Sequence, residues 1–107
     1  MELTLAIDLG TTNLKVGLVN ELGEILLLYS SGVPTVSNEA GAAEHDPEQL
    51  RDMVISLCKK VLKDNDKGQV KYIVSSGYQF GLMMMDEQRK PLTGLTLLTD
   101  TRSQTTF

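Results

Sequence analysis

Cysteine, histidine, aromatic residues and positive charge are all scarce in this 107-residue chain. The single cysteine, Cys58, excludes an intrachain disulfide and fits a reducing, cytoplasmic compartment. The single histidine, His45, has no second His or Cys beside it, which argues against a transition-metal site. Ten Lys and Arg against fourteen Asp and Glu leave a net charge of −4. That balance is a poor match to nucleic acid or to an anionic membrane surface. No apolar run reaches the length of a membrane span, and the N-terminus lacks the basic flank and cleavage site of an export signal.

What is present suits one modest globular domain with a real core: 41% hydrophobic and 22% charged residues. Leu3–Asp8, Leu14–Asn20 and Ile25–Ser31 read as three consecutive strands. Glu21-Leu22-Gly23-Glu24 joins the second to the third, with Gly23 at the positive-φ position of a hairpin. Val16, Leu18, Ile25 and Leu27 can share one face, although Ile25–Tyr29 is apolar almost throughout and its facing is ambiguous.

The most informative segment lies between the first two strands. Asp8 closes the first, Gly10-Thr11-Thr12-Asn13 turns the backbone, and Lys15 follows early in the second. Glycine lets the main chain approach a ligand, and successive N–H groups in such a turn form a concavity for phosphate oxygens. Thr11 and Thr12 add hydroxyl donors and Lys15 a mobile cation. Asp8 supplies the hard oxygen that hydrated Mg²⁺ prefers. The same residues also satisfy an ordinary hairpin turn, for which Asp and Gly are the expected types.

Residues 32–46 are rich in Gly, Pro, Ser, Thr, Asn and Ala and read as a long surface connection that includes His45. Asp46-Pro47-Glu48-Gln49 then starts a helix, with Asp46 as N-cap, Pro47 at the first helical position and Gln49 placed for a capping box. Leu50, Met53, Val54, Leu57, Cys58 and Val61 repeat at helical spacing. Lys59, Lys60 and Lys63 favour its C-terminal end. Val70–Ser75 reads as a strand, Leu82–Asp86 as an apolar run, Leu95–Leu98 as a last strand and Ser103–Phe107 as the start of another helix. An antiparallel opening followed by a crossover helix implies a mixed α/β sheet.

This succession resembles the first half of a ribonuclease-H-like ATPase domain of the actin and hexokinase type. Within that group, three segments resemble the FGGY carbohydrate kinases, in their xylulokinase- and gluconokinase-like branch. The segments are Asp8-Leu9-Gly10-Thr11-Thr12-Asn13-Leu14-Lys15, Gly41-Ala42-Ala43-Glu44-His45-Asp46-Pro47, and the series Ser76-Gly77, Gly81-Leu82, Asp86, Pro91-Leu92 and Asp100-Thr101-Arg102. Two departures stand out. Gln79-Phe80 replaces a sugar-contacting Met-His pair, and Leu98 replaces a Trp.

The resemblance implies ATP-dependent phosphorylation of a sugar, a polyol or a sugar acid, with ATP and Mg²⁺ as cofactors. Asp8, Gly10, Thr11, Thr12, Asn13 and Lys15 would bind nucleotide, and Asp8 would also orient the metal. Tyr78, Gln79, Phe80, Asp100 and Arg102 would line the sugar side. The catalytic base of the family is an Asp beyond Phe107, so no catalytic residue falls in this chain. Residues 1–107 are then the leading portion of the first of two domains, an incomplete domain inactive by itself. A small-molecule sugar is the expected partner, nucleic acid and membrane are not, and a homodimer stays open.

Read without the resemblance, Asp86 suits a hairpin cap, Asp100 a helix N-cap, and Met83-Met84-Met85 adaptable core packing. Tyr78 suits either a sugar pocket or a sheet edge. The competing functional readings are a chaperone- or actin-like ATPase segment and a non-catalytic module that keeps only the ATPase fold.

Overall fold

The computed structural model describes residues 2–78 and 81–102. Its principal sheet runs, from edge to edge, Ile25–Gly32, Asn13–Val19, Glu2–Leu9 and Gln69–Ser76. β1 (Glu2–Leu9), β2 (Asn13–Val19) and β3 (Ile25–Gly32) form the antiparallel opening. The chain then crosses through α1 (Pro47–Asp64) and returns as β5 (Gln69–Ser76), parallel to β1. A second, three-stranded sheet is built from β4 (Glu44–His45), β7 (Leu95–Leu97) and β6 (Gly81–Leu82), in that order.

Strand alternation sorts the principal sheet into two faces. Leu3 and Leu5 of β1 and Leu14, Val16 and Leu18 of β2 point to one face, where they are buried with Leu50 and Val61 of α1. The helix begins as its sequence requires. The Asp46 carboxylate accepts from the N–H groups of Glu48 (3.0 Å) and Gln49 (3.3 Å), and Pro47 opens the first turn. At the other end, the Tyr29 hydroxyl donates to Asp64 at 2.5 Å, and the Lys60 ammonium lies 4.5 Å from the centre of the Tyr29 ring. These contacts pin the helix across β3.

The opposite face is open. Asp8 pairs with Lys15 across β1 and β2, Lys15 with Ser30 across β2 and β3, and Asp8 with Ser76 across β1 and β5. Four polar side chains therefore run in a row, one per strand. Gly17, Ala6, Leu28 and Val74 form the next row, and together with Asp8, Lys15 and Ser76 they line a cavity of about 440 Å³.

Three expectations change. Ile25 does not join the face of Val16 and Leu18: a register shift between Leu18 and Val19 pairs it with Val19, on the open side, where it is 64% exposed. The segment 32–46 is more than surface connection. Val36 bridges Glu44, β4 forms within it, and Val33, Ala42, Ala43 and His45 are buried. Met84 and Met85 are exposed rather than core, whereas half-buried Met83 faces Leu9, Val54 and Leu95. The hairpin glycine is as expected, with Gly23 at φ +81°. Asp86 holds a turn, its carboxylate accepting from the N–H groups of Gln88 and Lys90 at 2.8 and 2.9 Å. The helix start expected over Ser103–Phe107 lies outside the described residues.

Candidate functional site

The bend between β1 and β2 is closed by the Gly10 N–H, which donates to the Asn13 carbonyl at 2.9 Å. A Cβ at Gly10 would lie 2.6 Å from that same carbonyl oxygen, so the bend requires glycine for space rather than for φ. Two further carbonyls of the turn are held from the protein side. The Thr12 oxygen accepts from the Val33 N–H at 2.8 Å, and the Thr11 oxygen lies 2.9 Å from Nε2 of His45. Asp8, Thr11, Thr12, Asn13 and Lys15 are exposed around this bend. The fold thus brings together the six nucleotide-binding candidates at one end of the β1–β2 hairpin.

Their chemistry is that of an anion site with one hard oxygen ligand. Two hydroxyls, a side-chain amide and an ammonium are donors, and the Asp8 carboxylate stands beside them with its Oδ1 receiving the Ser76 hydroxyl at 2.9 Å. Among the described residues no cluster of three His, Cys, Asp or Glu could hold a metal ion. A single carboxylate suits Mg²⁺, which dehydrates reluctantly and is commonly bound by one or two carboxylates together with water and phosphate oxygens. The residues present therefore fit ATP with hydrated Mg²⁺.

Tyr78 packs between the two sheets, and its hydroxyl is hydrogen-bonded to Nδ1 of His45. Burial pushes its phenol pKa up. The ring also fills the space beside Gly81, where a Cβ would meet Tyr78 Cδ2 at 3.0 Å. Gln79 and Phe80 lie outside the described residues.

Asp100 and Arg102 form an ion-paired clasp on the 39–45 segment. Arg102 binds Asp100 through Nε and Nη2, Glu39 through Nη1 at 2.8 Å, and Glu44 through Nη2. Asp100 also accepts from the Ala43 N–H at 2.9 Å and from the Arg102 N–H at 3.0 Å, the latter as an N-cap side chain would. Hydrogen bonds from the Arg102 side chain, then from Ala43, hold the Asp100 carboxyl far below the usual carboxylate range. Its side chain is 5% exposed and that of Arg102 32%. The clasp is closed by backbone bonds from Thr101 N–H to Gly41 carbonyl (2.8 Å) and from Leu97 N–H to Ala43 carbonyl (2.9 Å). Gly41, at φ +83°, has no room for a Cβ beside the Thr101 hydroxyl.

His45, Ser76, Glu39 and Glu44 are participants that were not among the site residues expected from the sequence, although Glu44, His45 and Ser76 lie in the segments that carry the family resemblance. Ser76 had a usable signal, because a parallel β1–β5 pairing places the end of one strand beside the end of the other. The burial of His45 had no local signal: its neighbours Glu44 and Asp46 are charged, which conceals a fully buried ring.

Residues 3–107 match the family model for the N-terminal domain of the FGGY family of carbohydrate kinases. Over 100 residues the chain is 31% identical to a gluconokinase of Bacillus subtilis (strain 168), covering 94% of this chain and 20% of that protein. Over 103 residues it is 30% identical to a xylulose kinase of Staphylococcus xylosus, covering 96% and 21%. In three dimensions it is similar to a gluconate kinase from Lactobacillus acidophilus, with a TM-score of 0.90 at 24% identity over 98% of this chain and 21% of that one. A glycerol kinase from Plasmodium falciparum, solved with ADP, gives a TM-score of 0.82 at 25% identity over 99% and 22%. The fold is thus the ribonuclease-H-like mixed sheet. The chain spans about a fifth of the length of the curated relatives it matches.

Proposed function

Given that the chain belongs to the FGGY family of carbohydrate kinases, we propose that its complete polypeptide transfers phosphate from ATP to a hydroxyl of a sugar, polyol or sugar acid. Residues 1–107, the leading portion of the first kinase domain, contribute the first phosphate turn and part of the sugar side. The observation that carries this is the grouping of Asp8, Thr11, Thr12, Asn13 and Lys15, all exposed, around a bend that only glycine permits at residue 10.

In-line phosphoryl transfer is catalysed chiefly by positioning and by stabilising charge on the phosphate oxygens. Thr11, Thr12 and Asn13 donate to those oxygens, and Lys15 neutralises charge that develops there. Asp8, steadied by Ser76, would hold hydrated Mg²⁺, which when bound would supply further charge neutralisation. Tyr78, Gln79 and Phe80 belong to the sugar side, and the Asp100–Arg102 clasp borders it, with Leu98 73% exposed beside them in sequence. The proton of the attacking hydroxyl goes to a carboxylate of the complete polypeptide beyond Phe107.

A cytoplasmic setting belongs to the same reading, and free Cys58 supports it. Exposed Tyr72, Ile73 and Val74 on β5 leave a surface for the further chain of the domain to cover. Among the described residues no helix is long and apolar enough to cross a membrane.

The test is ADP formation by the complete polypeptide with ATP, Mg²⁺ and a panel of pentuloses, polyols and aldonic acids. Phosphorylation of one acceptor class supports the reading. ADP release that no acceptor stimulates would favour the chaperone- or actin-like ATPase, and absence of nucleotide binding would favour the non-catalytic module.

A further inference from the structure

His45 is fully buried, and both of its ring nitrogens are engaged. Nε2 lies 2.9 Å from the carbonyl oxygen of Thr11, which can only accept, so Nε2 carries the proton and donates. In the neutral ring Nδ1 is then an acceptor, and it receives the Tyr78 hydroxyl. The ring is tilted 59° to Tyr78, with centroids 5.4 Å apart, so packing as well as hydrogen bonding fixes its orientation.

A trans peptide sends its C=O and its N–H in opposite directions. Holding the Thr11 carbonyl toward His45 therefore turns the Thr12 N–H outward, to the exposed side of the bend. One residue on, the Val33 N–H takes the Thr12 carbonyl at 2.8 Å and ties the bend to the chain that follows β3. An N–H turned away from the protein in such a bend is a donor for a phosphate oxygen.

We infer that His45 is a positioning residue, whose Nε2–H sets the peptide orientation of the phosphate turn while the Tyr78 hydroxyl fixes its tautomer. This rests on the phosphate-binding reading of that turn. The consequence is a connection within the site: Tyr78 precedes Gln79-Phe80 on the sugar side, and one buried ring joins it to the backbone that faces the nucleotide.

The inference is tested on two levels. In the unmodified complete polypeptide, ¹⁵N NMR of the His45 ring should show a protonated Nε2 and an unprotonated, hydrogen-bonded Nδ1; the opposite tautomer overturns the inference. In the complete polypeptide, His45→Ala should raise KM for ATP about three- to tenfold, the scale of one net hydrogen bond, with KM for the sugar within about twofold. His45→Gln, which keeps an N–H for the Thr11 carbonyl, should recover most of that loss. An ATP KM equal to wild type in both His45→Ala and His45→Gln, with Thr12→Ala still impaired, overturns the inference and leaves the phosphate turn standing. Should Thr12→Ala and Lys15→Ala both behave as wild type, the phosphate turn itself falls, and the inference with it. Poor folding of His45→Ala leaves the decision to the tautomer measured in the unmodified protein.

Discussion

Asp8 and Lys15 stand opposite each other across β1 and β2, on the open face of the sheet and beside the Gly10–Asn13 bend. Both line one cavity together with Ser76, which donates to Asp8. Placing an anion and a cation together on an exposed surface adds little stability. The arrangement makes sense as chemistry: one group for a hydrated metal, the other for the phosphates it accompanies. Asp8→Asn should therefore lower kcat of the complete polypeptide by about 100-fold, the scale of losing one preorganised electrostatic group. Circular dichroism and melting temperature should change little, because the side chain is exposed.

Gly10 tests the shape of the bend rather than its charges. Alanine there would place a methyl group 2.6 Å from the Asn13 carbonyl oxygen, a backbone atom that cannot move without opening the hairpin. Gly10→Ala should cost about 1–3 kcal/mol in urea denaturation and raise KM for ATP, whereas Gly23→Asn, at an unobstructed hairpin position with φ +81°, should stay within about 0.5–1 kcal/mol of wild type.

The two strands of the β2–β3 hairpin make a sharper contrast. Leu18 is fully buried and Ile25 is 64% exposed, although both continue apolar runs in the sequence. Leu18→Ala should destabilise by about 2–5 kcal/mol, and Ile25→Ala by no more than about 0.5 kcal/mol. Similar losses at both positions would mean that the register shift after Leu18 is absent.

The clasp around Arg102 carries a pH dependence. Asp100 has a depressed pKa in the folded chain and returns to about 3.9 when unfolded. A carboxyl of that kind contributes stability that is complete above its unfolded value and is lost as the pH falls below it. Asp100→Asn should therefore melt below wild type at pH 7, with the gap starting to narrow as the pH drops below about 4 and only partly closed at pH 3, because the folded-state value lies lower still. Thermal melts at pH 7, 5 and 3 check this.

Local signals made the first half of the chain legible. Alternation marked β1 and β2, Gly23 marked the hairpin, and Asp46-Pro47 marked the helix start. The nucleotide-binding candidates were legible for the same reason, since a bend and its donors sit within eight consecutive residues, Asp8 to Lys15. What the sequence concealed depends on contacts between distant segments. Leu95–Leu98 was legible as a strand, and β7 forms there, but its pairing with residues 44–45 and 81–82 was not, since those two runs are too short to show a period of two. His45 looked like a loop residue because its burial comes from Tyr78 and the bend, not from its neighbours in sequence. Asp100 and Arg102 were expected on the sugar side, and their shared grip on Glu39, Glu44 and Ala43 could be seen only once the 39–45 segment was placed.

The central claim is that the bend after β1 holds the phosphates of ATP. Its most direct test is the dissociation constant for ATP·Mg²⁺, measured by calorimetry on the complete polypeptide and on its Thr12→Ala and Lys15→Ala variants. Losing a hydrogen bond to a charged group, about 1.5–3 kcal/mol, should weaken binding about 10- to 100-fold in each variant while adenosine binding is unchanged. Wild-type affinity for ATP·Mg²⁺ in both variants would contradict the claim.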